Sequence, residues 1–175
     1  MSAFRLYANL PLAALCLLLP LAGCVSQSPT EGDRAGDGDG ESQSVEPVEI
    51  KRSLRADAST FQEPGAFLFK READFQAYRR GPLMDLKVDW GSSDVVVVAL
   101  GAQPTGGYWV HITGAQRVGP KLYVQAIASR PAAEDVVTQA ITYPVATAVI
   151  EKTPAGSVTP EVESVTGQEP PEFEP

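Results

Sequence analysis

The sequence predicts a mainly β fold: a small antiparallel sandwich or partly open barrel with one short helix, flanked by disordered tails. Three observations predict it. Between residues 86 and 150 apolar residues alternate with polar ones, or run apolar on both sides, in short stretches parted by Gly, Pro, Ser and Asp. Only residues 71–80 carry helical spacing. Both ends are rich in Pro, Gly and acidic residues, with few side chains able to offset the entropy of ordering. The 175 residues allow one ordinary domain with tails, and 43% apolar residues suffice for its core.

The body spans residues 50–151. Residues 67–69 (Phe-Leu-Phe) read as a short strand. In the helix over 71–80, Phe75 and Tyr78 share a face, and Gly81-Pro82 stops it. Glu72 and Asp74 near its start and Arg79 and Arg80 at its end suit the helix dipole, although no good N-cap precedes it. Leu86, Val88 and Trp90 alternate with Lys87 and Asp89, a half-buried strand that Gly91-Ser92-Ser93-Asp94 turns back. Residues 95–100 are apolar on both sides, as in a central strand. Strands over 108–113 and 121–128 follow, with Gly119-Pro120 among the turn residues between them, and strands over 138–143 and 145–150 close the body. Pro144 cannot donate to a ladder, so it marks an edge, a bend or a strand start.

The ends carry an address. Residues 1–23 read as a signal peptide: Arg5 is the positive start, and the sixteen uncharged residues from Leu10 to Val25, interrupted by Pro11 and Pro20, fall short of a membrane span. Leu21-Ala22-Gly23-Cys24 resembles a bacterial lipobox. That resemblance implies cleavage before Cys24, thioether diacylation of its sulfur and acylation of the new amine, enough chains for stable attachment to a membrane. It places the protein in the bacterial cell envelope, and Val25 rather than Asp after the cysteine resembles an outer-membrane rather than an inner-membrane destination. Residues 24–49 are expected to form the lipidated acidic tether, reaching roughly 5–6 Å times the square root of its length. Within it Asp37, Asp39, Gly40 and Glu46 fall at calcium-loop spacing, but Ala35 stands at the first ligand position, so solvated linker is expected. Residues 152–175 are expected to be a disordered, acidic, Pro-rich tail.

Charge and composition exclude much. With 14 Lys+Arg against 22 Asp+Glu the formal charge is -8, and no basic cluster offers a phosphate stripe, so no nucleic-acid partner is expected. One histidine and two cysteines do not make a zinc, haem or iron–sulfur site, and no metal or cofactor is expected. Cys16 leaves with the signal and Cys24 is consumed by lipid, so the domain rests on its apolar core without disulfides. No Gly-x-Ser-x-Gly elbow is present. His111 is expected to be a partly solvated strand residue, and Glu134 and Asp135 solvated loop charges. No catalytic residue, small-molecule substrate or enzymatic activity is expected.

The distinctive segment is Leu100-Gly101-Ala102-Gln103-Pro104-Thr105-Gly106-Gly107-Tyr108-Trp109, joining two strong strands. Its glycines permit positive φ and Pro104 stiffens one side, so a compact loop is expected. Gly101 and Gly106 have phosphate-loop spacing, but Gly107 and Tyr108 stand where Lys and Ser or Thr are required. Tyr108 and Trp109 point to opposite faces of one strand, one expected in the core and the other a candidate interface anchor.

Pro104-Thr105-Gly106-Gly107-Tyr108 after a glycine-ended strand resembles the C-terminal domain of PrcB-type protease complex subunits. The similarity runs over about residues 61–150. It includes Phe61-Gln62-Glu63-Pro64-Gly65, the helix over 71–80, Leu86-Lys87-Val88-Asp89-Trp90, and residues 137–144. The family takes its name from a lipoprotein that stabilises a surface protease complex, so the resemblance implies an accessory subunit whose partner is an exported protease or another envelope protein. The same loop, from Gln103 to Tyr108, is also similar to one loop of chagasin-like inhibitors of cysteine peptidases, and Arg130-Pro131 to half of another. There Gly106 replaces a threonine, Ala132 stands in the tryptophan position and the middle loop is missing. The residues these resemblances nominate for protein binding are Gln103, Pro104, Thr105, Gly106, Gly107, Tyr108, Trp109, Arg130 and Pro131. A structural envelope lipoprotein without a protease connection is the third reading.

Overall fold

The valine run lies where its two apolar faces require. In a computed structural model describing residues 44–172, the chain order is β1 (Val45–Pro47), β2 (Ile50–Asp57), β3 (Pro64–Phe69), α1 (Glu72–Gln76), a 3₁₀ helix (Gly81–Asp85), β4 (Ser93–Leu100), β5 (Trp109–Val118), β6 (Lys121–Arg130), β7 (Pro144–Glu151) and β8 (Ser157–Thr166). Two four-stranded sheets form, ordered β1-β5-β6-β8 and β2-β7-β4-β3. Every pairing is antiparallel except β6 with β8, which run parallel. The fold is therefore a sandwich, and the sheets do not close into a barrel.

Strands β4 and β7 are interior in their sheet and buried on both faces. Val96, Val98, Ala146 and Ile150 face the other sheet and pack with Val110, Ile112, Leu122 and Val124. Val95, Val97, Val145 and Val149 face outward, where Phe61, Phe69, Phe75, Leu83 and Leu86 cover them. Each buried valine contributes about 1.5–3 kcal/mol. The covering layer is aromatic: Phe69 meets Phe75 edge-on at 5.2 Å, and Phe61 stacks on Tyr78 at 5.0 Å. Phe75 and Tyr78 thus share the buried face that their spacing predicts.

Several expectations need correction. The helix is shorter than 71–80, ending at Gln76, with Arg71 making no side-chain cap; the Tyr78 and Arg79 amides donate to Phe75 and Gln76 in a following turn. Leu86, Val88 and Trp90 do face the core, but residues 86–89 join no ladder. Their alternation reports burial against a sheet face, not pairing with a strand. Residues 138–143 form no strand either, apart from one bridge between Thr142 and Gln103. Pro144 opens β7, a strand start.

The flanks are corrected as well. Of the tether, residues 45–47 form β1 beside β5, and Glu46 ion-pairs with Arg117. Residues 1–43, with the signal segment, Cys24 and most of the tether, lie outside the described residues. The C-terminal stretch is not a disordered tail over 157–166, because β8 pairs with all ten residues of β6. Its connection from β7 is fixed at Asp94, whose carboxylate is fully buried. Asp94 Oδ2 accepts the Thr153 amide at 3.0 Å. The Lys152 ammonium lies 2.9 Å from Oδ1 at an angle outside hydrogen bonding, an ion pair rather than a directed bond.

Candidate functional site

The loop between β4 and β5 is clasped from two sides. At its start Gly101 has φ +71 and the Ala102 amide donates to Gln62 at 3.0 Å. A Cβ on Gly101 would sit 2.8 Å from the Pro64 nitrogen and 2.9 Å from the Gln62 carbonyl oxygen, so the close approach and the positive φ both require glycine. On the other side the loop pairs with residues 138–142. The Gln103 and Thr142 amides donate to each other's carbonyls at 2.8 and 3.0 Å, and the Gly106 amide donates to Thr138 at 2.9 Å. Thr142 Oγ1 closes the clasp on the Thr105 carbonyl at 2.8 Å.

These contacts assign the glycines. Gly106 leaves room for the Thr138 hydroxyl, and Gly107, with φ +84, for Val137 and Pro131. Both serve close packing between segments. Arg130 and Pro131 are brought to the same end of the sandwich, Pro131 lying against Gly107. All nine nominated residues therefore meet in one region. Within it Pro104 and Gly107 are exposed, while Gln103, Thr105 and Gly106 are half-buried.

The aromatic pair departs from expectation. Neither Tyr108 nor Trp109 enters the core, and neither is fully exposed. Tyr108 borders a groove of about 430 Å³ with Leu100, Ser129 and Thr166. The Trp109 indole N–H donates to the Gln168 carbonyl at 2.9 Å, and the Arg55 guanidinium carbon lies 5.9 Å from the ring centroid. His111, on the same face of β5, is half-buried, and burial first, then the charge of Arg55, lowers its pKa from the ordinary 6.5. Glu134 and Asp135 are exposed, and Asp135 accepts the Ala132 amide at 2.7 Å. Among the described residues no group of three His, Cys, Asp or Glu is placed to hold a metal, and no helix is long and apolar enough to cross a membrane.

Two parts of this end were not read from the sequence. Residues 164–168 fold along β6 to Trp109, where the Gly167 amide donates to Arg130 and Arg130 Nε donates to Thr166 Oγ1 at 2.8 Å. Val136 and Ile141, in the segment that clasps the loop, are exposed apolar side chains, Val136 completely so. Only the second left a signal: the Val136-Val137 pair and Ile141 are apolar residues in a stretch expected to be loop or half-buried strand.

A β sandwich with a clasped interstrand loop at one end is the class that fold and site define. Residues 95–151, covering nearly all of β4 through β7 and including the whole loop, match the family described as PrcB C-terminal. The match includes Arg130 and Pro131 but not residues 61–94, over which the resemblance was also expected. No curated protein and no solved structure matches the chain.

Proposed function

We propose that the chain is an exported, lipid-anchored, non-catalytic protein-binding module of the bacterial envelope, an accessory subunit of a protease complex. The observation that carries this reading is the PrcB C-terminal match over residues 95–151. Lipid on Cys24 holds the protein to the membrane, the outer one by the cue at Val25. The acidic stretch that follows lets the sandwich reach its partner. Docking uses the clasped end, where Pro104, Val136 and Ile141 offer exposed apolar surface beside the half-buried Tyr108 and Trp109.

Crosslinking in intact cells, followed by capture of this protein, identification of what comes with it and a proteolysis assay on the captured material, tests the reading. A stoichiometric protease that is active on capture is the expected result. Recovery of envelope structural proteins alone would refute it. The inhibitor reading keeps one observation in its favour, the packing of Pro131 on Gly107, which puts the two chagasin-like segments side by side. It predicts a protease that is silent when captured and active when released.

A further inference from the structure

Strand β8 is held differently from the rest of the sandwich. None of its ten residues is buried, eight are exposed, and only Val158 and Val165 are half-buried. It carries Pro160, which cannot donate to a ladder. Beneath it an apolar cleft remains between Pro160 and Val162 on one side and Pro64, Val98 and Leu100 on the other. Backbone pairing to β6, not side-chain burial, therefore keeps β8 in place. A strand of that kind opens at lower cost than the strands of the core.

The charges on the two sides are complementary. Strand β6, on which β8 lies, contains no acidic residue and carries Lys121 and Arg130 at its two ends. Strand β8 contains no basic residue and carries Glu161 and Glu163, with Glu169 beyond it. Gln125 Nε2 donates to Glu161 Oε2 at 3.1 Å across the ladder, and past the end of the ladder the chain reaches Trp109 through the Gln168 carbonyl.

We infer that residues 157–170 are an occupant in cis of a peptide-binding edge. The groove along β6 to Trp109 is the seat for an extended acidic segment of the partner, which adds to the sheet in parallel with β6 once the chain's own segment is displaced. This rests on the reading that this end of the domain docks a partner, and it gives that docking a mechanism: strand exchange, with the indole released from Gln168 to the incoming chain.

The test locks the strand. In the full chain with Cys16→Ser and Cys24→Ser, Gln125→Cys and Glu161→Cys place two thiols at facing positions of the β6–β8 register. The probe is a labelled synthetic peptide of residues 157–170. It is expected to bind the reduced chain and to lose at least about tenfold in affinity when the pair is oxidised, because the in-cis segment can no longer leave. Replacing the peptide's glutamates by glutamine is expected to weaken binding by about fivefold at low salt. Failure to bind the reduced chain, or equal binding to both forms, would overturn the inference, as would doubling of the chain's mass by strand exchange between copies in place of peptide binding. Hydrogen exchange on the unmodified chain is an independent check, with β8 amides expected to exchange at least about a hundredfold faster than those of β4 and β7. If β8 exchanges together with the core strands, the inference is wrong. No protease enters this experiment, so its failure and the failure of the protease reading are separate results.

Discussion

At Gly101 a substitution meets backbone rather than a movable side chain. Gly101→Ala must hold φ near +71 and bring a methyl within 2.9 Å of the Gln62 carbonyl oxygen. The left-handed conformation and the clash together cost about 2–4 kcal/mol. Gly81 has φ +55 but open space around its Cα, so Gly81→Ala should cost only about 1–2 kcal/mol. Urea unfolding midpoints at constant m-value distinguish the two. His111 sets a second expectation. Its native pKa lies below the unfolded value near 6.5, so the unfolded chain binds more protons between the two values. The associated stability is present above 6.5 and is lost as pH falls through the native value. Stability, measured by unfolding from pH 7.5 downward, should decline in that window, and His111→Gln should flatten the decline; an unchanged profile would contradict the assignment.

At the scale of elements, the join between β7 and β8 depends on a buried carboxylate. Asp94→Ala removes the acceptor of the Thr153 amide and the counter-charge of Lys152, and should cost about 3–5 kcal/mol in thermal unfolding. Lys152→Met should cost less, about 1–2 kcal/mol, because its own side chain is 39% exposed and the Lys70 ammonium, 3.9 Å from Asp94, remains as counter-charge. How far elements were legible follows from what holds them. β4 and β7 are held by burial, and burial leaves a pattern, so residues 95–100 and 145–150 were readable within two residues of their observed ends. Residues 86–90 kept the pattern without the ladder, because they lie across a sheet instead of beside a strand. β8 did the reverse: it has the ladder without burial, and a sequence offers no periodic trace of that.

For the whole molecule, the sandwich and its short helix were legible because hydrophobic period and turn residues agreed along the chain. The site was legible in part. Gln103, Tyr108, Arg130 and Pro131 are nominated by family resemblance of short local segments, and the fold brings those segments to one end of the sandwich. The C-terminal segment against Trp109 could not be nominated in this way, because the Trp109–Gln168 contact joins residues 59 apart in the sequence. If a protease partner docks at the clasped end, as proposed, a photo-crosslinking residue placed there in living cells will capture that partner. At Val136, fully exposed beside the loop, it should yield one dominant adduct containing an exported protease; at Met84, exposed on the 3₁₀ helix that covers the other sheet, it should not. A protease adduct from Met84 and none from Val136 would place the docking surface elsewhere and contradict docking at the clasped end.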